Sequence, residues 1–234
     1  MPGRRKKIWI TRAQPVADLT AERVRALGHD PLLAPLLQVH NLDEVTIDLV
    51  GVAALAFTSA NGVRAFAERS GHRETKVFAV GAATAQAARL AGFRSVLSSE
   101  GDVSALARGI AARKSELKGA VLHAGAAELA GDLPGELERA GIEARRLVLY
   151  ETRPVRLADA EIKLLLRANA VLLHSPRAAR VLATVLRKHP APELRALGLS
   201  PAVLKPLARI QLAARTAPPF PLEAALLQLI DREA

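Results

Sequence analysis

Two stretches of this chain read as copies of one another. Ala56-Phe57-Thr58-Ser59-Ala60-Asn61-Gly62-Val63-Arg64 returns later as Leu172-Leu173-His174-Ser175-Pro176-Arg177-Ala178-Ala179-Arg180. Each is an apolar run, then a serine, then a helix-forming segment. Val80-Gly81-Ala82-Ala83-Thr84 pairs in the same way with Leu197-Gly198-Leu199-Ser200-Pro201, and Ala26-Leu27-Gly28 with Arg139-Ala140-Gly141. The offsets between the copies drift by only a few residues. An old duplication with small insertions gives this pattern, and it predicts two lobes of related topology with a cleft between them.

Short apolar strands alternate with helical periodicity along both halves. Ile8-Trp9-Ile10, Leu55-Ala56-Phe57, Val77 to Val80, Ala120-Val121-Leu122, Val171-Leu172-Leu173 and Leu194 to Gly198 read as strands. Val16, Leu19, Val24 and Leu27 mark one helix face; Val103, Leu106 and Ile110 a second; Leu133, Leu137 and Ala140 a third; Leu222, Leu226 and Leu229 the last. Gly28 and Gly141 stand where helix ends want a left-handed residue. Leu32 to Val39 and Arg146 to Thr152 are longer extended runs, with Pro31 and Pro35 keeping the first out of a helix. Strands buried on both faces are apolar throughout, so the fold class is α/β, with parallel sheets covered by helices on both sides. The polar stretches Asp43 to Asp48 and Pro154 to Asp159 are read as the points where the chain passes between lobes.

The 234 residues suffice for one large domain or two small ones. With no cysteine, disulfides and thiolate metal sites are excluded, which fits a reducing, cytoplasmic setting. No apolar run reaches the ~20 residues that span a bilayer. The basic start, Met1 to Lys7, leads into a short strand and not into a signal-peptide core. The net charge of +10 fits either a generally basic, arginine-rich composition or a polyanionic partner. Nucleic acid is not the expected one: aromatic residues are 3% of the chain, too few to stack bases, and the basic residues are dispersed. A small molecule with several carboxylates fits better.

In open parallel sheets, ligands bind beyond the carboxyl ends of the strands. Those ends carry Thr11-Arg12, Ser59-Ala60-Asn61, Gly81-Ala82-Ala83-Thr84, His123-Ala124-Gly125, Ser175-Pro176 and Gly198-Leu199-Ser200. A serine in front of a helix is first of all a cap, and Ser175-Pro176 and Ser200-Pro201 have the cap-then-proline form. Taken together, several helix starts with free N–H groups make a surface for carboxylates. No G-x-G-x-x-G or phosphate-loop ending occurs, so nucleotide cofactors are not expected. The six histidines lack H-x-x-x-H spacing, so no metal is expected. The serines lack a G-x-S-x-G elbow, which argues against a hydrolase. The single tyrosine, Tyr150, closes Leu147-Val148-Leu149-Tyr150. It is either a core ring with its hydroxyl at the edge or a phenol placed to give a proton to a leaving group.

Ile10-Thr11-Arg12, the Phe57 to Arg64 segment, Val80 to Ala85, Leu149-Tyr150-Glu151-Thr152 and His174 to Ala178 together resemble the uroporphyrinogen-III synthase family over nearly the whole chain. The resemblance implies two related three-layer α/β/α domains joined by two extended linkers, with residues 1–38 plus 153–234 in one and 39–152 in the other. It implies a cofactor-free carbon–oxygen lyase of tetrapyrrole biosynthesis. The linear hydroxymethylbilane, bearing eight carboxylates, loses water and closes with ring D inverted. Tyr150 matches the tyrosine held to assist departure of the hydroxyl, and Ser59 and Thr84 match residues lining the site. The remaining expected substrate contacts are Thr11, Arg12, Ala60, Asn61, Gly81, Ala82, Gly125, Ser175, Pro176, Gly198 and Ser200. The chain departs from the family pattern at His123 to Ala126 and at Gly198 to Pro201. A monomer is expected. The rival reading is a non-catalytic two-lobe binder of tetrapyrroles or other polyacids.

Overall fold

The computed structural model describes residues 4–14, 16–129 and 131–232; the first three residues of the basic start lie outside them. Along the chain run β1 (Lys7–Ile10), α1 (Val16–Ala26), β2 (Asp30–Leu33), β3 (Leu37–Asn41), β4 (Val52–Phe57), α2 (Ala60–Arg69), β5 (Lys76–Val80), α3 (Gly81–Leu90) and β6 (Val96–Ser99). There follow α4 (Val103–Ala111), β7 (Ala120–Ala126), α5 (Leu133–Arg139), β8 (Ala144–Pro154), α6 (Asp159–Leu165), β9 (Ala170–Leu173), α7 (Pro176–Lys188), β10 (Arg195–Gly198), α8 (Pro201–Leu204), β11 (Ala214–Thr216) and α9 (Glu223–Gln228). The chain divides into two compact units, Met1–Gln38 with Arg153–Ala234, and Val39–Thr152.

The first unit holds a five-stranded sheet in the order β11-β10-β9-β1-β2, parallel throughout. Side chains alternate across a strand, and β1 shows the result. Trp9 faces a layer built on α7, with Leu182, Ala183 and Leu186. Ile8 and Ile10 face the opposite layer, with Ala17, Ala21 and Val24 of α1 and Leu226 and Leu227 of α9. The buried Trp9 indole donates to the Ala34 carbonyl at 2.8 Å, which satisfies its one polar group.

The second unit holds six strands in the order β3-β8-β7-β4-β5-β6. The central pairs β8–β7, β7–β4, β4–β5 and β5–β6 are parallel. Leu55 and Phe57 pack with Val63 and Phe66 of α2 on one face. Ala54 and Ala56 pack with Leu106, Ile110, Leu133 and Leu137 of α4 and α5 on the other. Both sheets are thus covered on both faces, as wholly apolar strands require.

The repeated glycines act alike. Gly28 has φ 83° and Gly141 has φ 71°. After Gly28, the N–H of His29 donates to Val24 and that of Gly28 to Arg25; after Gly141, Ile142 donates to Leu137 and Gly141 to Glu138. This is the Schellman closure, in which a left-handed residue lets the chain satisfy the last helical carbonyls.

Several expectations need correction. The run from Leu32 to Val39 is two strands in two sheets, broken at Ala34–Leu36, where Pro35 has no N–H to continue a ladder. The first passage between units therefore falls inside that run. Asp43 to Asp48 belongs to the second unit, where Val45 and Ile47 pack on the Phe57 cluster. The α1 face is rotated: Leu19 and Leu27 are exposed, while Ala17, Thr20, Ala21 and Val24 are buried. Alanines let the helix sit close to the sheet, and the larger leucines project outward.

Candidate functional site

Parallel order brings the expected residues to the carboxyl edges of two sheets. In the second unit β7, β4 and β5 are neighbours, so the segments after Phe57 and Val80 lie side by side. Ser59 is extended (φ −157°, ψ 153°) and caps α2, its oxygen accepting the Gly62 N–H at 3.1 Å. The same oxygen lies 2.8 Å from the Tyr150 hydroxyl. Asn61 accepts a hydrogen bond from Arg64 one turn on. Gly81 opens α3 with φ 71°, Ala82 is exposed, and Thr84 is buried.

The Tyr150 ring packs with Phe57 and Phe66. Burial raises its pKa, and the Ser59 hydrogen bond and the Arg64 charge oppose that rise without cancelling it. The phenol therefore keeps its proton at neutral pH. The ring belongs to the core and its hydroxyl meets Ser59; Tyr150 lies inside β8, which runs on to Pro154, and not at the end of the strand as expected.

Gly125 is not a turn after β7. It lies inside that strand, buried, just before a shift in register with β8. Its neighbour His123 is also buried in β7, with Nε2 3.3 Å from Thr58 Oγ1 and with Nδ1 lacking a hydrogen bond among the described residues. Thr58 and His123 were not among the expected substrate contacts, though His123 opens one of the strand-end segments. They pair across 65 positions of sequence, a distance at which no local pattern links them.

In the first unit, β10, β9 and β1 bring Gly198, Ser175, Thr11 and Arg12 together. Thr11 is buried and donates to the Leu172 carbonyl at 2.7 Å, tying β1 to β9. Ser175 caps α7, accepting the Ala178 N–H at 3.1 Å, and Pro176 is exposed at the first helical position. Ser200 has extended cap geometry but makes no capping bond through its side chain, and α8 behind it is only one turn long. Gly198 is buried; an added Cβ there would meet Leu204 Cγ at 2.6 Å.

Arg12 leads to a cluster that the sequence did not reveal. Its Nη1 donates to Glu223 Oε1 at 2.8 Å, and the Thr20 hydroxyl donates to the same oxygen at 2.6 Å. Arg23 binds the other carboxylate oxygen. His174 Nε2 stands 3.5 Å from Oε1, without hydrogen-bond geometry. Burial raises the Glu223 pKa, but the Thr20 hydrogen bond and the charges of Arg12 and Arg23 oppose it and the net shift is downward. In sequence Glu223 is only an acidic residue in the first turn of the last helix, a common dipole effect, so no local signal linked it to Arg12.

Two histidines are held neutral. Burial, then the Arg146 charge, lowers His123 to about 4. Burial and Arg12 lower His174 to about 4 against the pull of Glu223. As pH falls, the unfolded chain takes up protons near 6.5 while the folded chain does not. Stability is full above about 6.5 and declines toward 4. The urea midpoint is expected to drop between pH 7 and pH 4.5, and to drop less in His123→Gln. An unchanged midpoint in wild type would refute buried neutral histidines.

Residues 18–228 match the family described as uroporphyrinogen-III synthase HemD. No curated protein matches the chain significantly. Among solved structures, uroporphyrinogen-III synthetase from Helicobacter pylori is similar at 18% identity and TM-score 0.70, over 96% of this chain and 97% of that one. A mutant uroporphyrinogen III synthase from Thermus thermophilus is similar at 15% identity and TM-score 0.53, over 95% and 96%. At such identity the likeness speaks for the fold, while the family match covers most of the chain: it belongs to the uroporphyrinogen-III synthase family.

Proposed function

We propose that this chain converts hydroxymethylbilane to uroporphyrinogen III as a cofactor-free carbon–oxygen lyase. The observation that carries the reading is a protonated Tyr150 phenol, bonded at 2.8 Å to the capping Ser59, in a chain of this family. Ser59 already accepts the Gly62 N–H at the positive end of α2. Either hydroxyl can donate across this contact; in the proposed arrangement the polarised Ser59 O–H donates to the phenol oxygen. The Tyr150 proton is then left for the departing hydroxyl of the substrate, as general acid catalysis requires.

The hydroxyl takes the Tyr150 proton and leaves as water with help from the pyrrole nitrogen lone pair, giving an electrophilic azafulvene; the proton released when the ring closes restores the phenol. The electron-rich ring D carbon attacks it, a spiro intermediate rearranges, and the macrocycle closes. The protein's share is largely to hold one folded substrate conformation, a contribution of several kcal/mol. Ser59, Ala60, Asn61, Gly81, Ala82 and Thr84 in the second unit, and Thr11, Arg12, Ser175, Pro176, Gly198 and Ser200 in the first, are proposed to receive the substrate. Gly125 stands just before the register shift that sets Ala126 opposite Tyr150. The proposed working state is a cytoplasmic monomer without a nucleic-acid partner.

Chromatography of the products decides the matter. Purified protein given hydroxymethylbilane is expected to yield the type III isomer. The type I isomer alone, which forms without enzyme, would sink the proposal. Binding without turnover would instead favour a polyacid carrier of the same fold.

A further inference from the structure

We infer that Glu223 is a positioning residue that holds Arg12 by one nitrogen and leaves the outer edge of its guanidinium for a substrate carboxylate. This rests on the reading of the substrate as a polycarboxylate. Both hydrogen bonds of Arg12 use Nη1, to Glu223 and to Thr20 at 3.5 Å. Among the described residues, Nη2 and Nε have no hydrogen-bond acceptor, and the side chain is 27% exposed. Guanidinium is a planar fork that binds carboxylate through two parallel donors. An arginine pinned by one nitrogen presents Nη2 and Nε in a fixed plane.

Glu223 is suited to this task. It comes from α9, yet it reaches α1 through Thr20 and Arg23 and the β1 end through Arg12. Its side chain is only 18% exposed. Three cationic or near-neutral bases, Arg12, Arg23 and His174, surround one carboxylate. The cluster keeps net positive charge, so pinning Arg12 does not neutralise the surface toward an anion. Without Glu223, the guanidinium would have to be ordered at the moment of binding, which weakens affinity by about tenfold.

The test is a double-mutant cycle on the whole protein with Glu223→Ala, Arg12→Gln and the pair, and with Glu223→Gln as a gentler variant. Two readouts are taken: KM and kcat for hydroxymethylbilane, and affinity for uroporphyrin III, an octacarboxylate probe, by fluorescence. Thermal melts accompany both. Glu223→Ala is expected to raise KM and the probe Kd about tenfold, mainly without a matching fall in kcat, and to do so less than twofold when Arg12 is already Gln. Glu223→Gln should give an intermediate shift. An equal factor in both backgrounds, or no shift in folded variants, would overturn the inference. Wild-type protein that binds the probe without making the type III isomer would defeat the catalytic reading while leaving this cycle decisive; wild type that does neither would overturn both.

Discussion

Tyr150→Phe is expected to slow formation of the type III isomer by about 100-fold without abolishing it. The phenol proton is the only part lost. The ring keeps its packing with Phe57 and Phe66, and the cap from Ser59 to Gly62 survives. The substrate still expels its own hydroxide with pyrrole assistance, so residual activity remains. Ser59→Ala should slow the reaction less, because it removes the partner that directs the proton and leaves the proton itself. Single-turnover rates would separate the two. A Tyr150→Phe enzyme at the wild-type rate would remove the acid role, and the Ser59 hydrogen bond would then be a packing feature.

The largest loss of stability with no direct effect on the site is expected at Gly119→Ala. Gly119 precedes β7 and faces Gly51, which precedes β4, at the amino ends of two adjacent central strands. An added Cβ would stand 2.3 Å from the Gly51 carbonyl oxygen, a backbone atom that already accepts the Ala120 N–H at 2.9 Å. No rotamer relieves such a clash, so the strands must part. The expected cost is about 3 kcal/mol, at the upper end for overpacking, or a fall in melting temperature of roughly 10 °C. Activity per folded molecule should hold, because Ser59 and Tyr150 stand at the opposite ends of the strands. A melting temperature within a degree or two of wild type would refute the contact. A large loss of kcat in folded protein would mean that the two ends of the sheet are coupled.

Much of the fold was legible because it is local. The strands show as short apolar runs, Ser59 and Ser175 precede helices as caps, and Gly28 and Gly141 close helices by geometry that glycine alone adopts cheaply. The short strands β6 and β11 and the helix α6 were not legible, since a few residues carry too little periodicity. Gly125 was misplaced because a strand that runs on past a small residue looks the same as one that stops there. The break between β2 and β3 was hidden because both pieces are extended; only pairing tells one sheet from another.

Of the site, Ser59 and Arg12 could be singled out as residue types at strand ends, and Tyr150 as the single tyrosine. Their bonds could not. Ser59 meets Tyr150 across 91 positions, Thr58 meets His123 across 65, and Arg12 meets Glu223 across 211. Sequence by itself determined the repeated strand–cap–helix unit, the apolar layers and the positive balance, since each follows from neighbours in the chain or from composition. Only the tertiary structure decided which hydroxyl shares the phenol's bond and which carboxylate holds Arg12. Those pairings depend on strand order and helix docking, which bring together groups that no spacing along the chain relates.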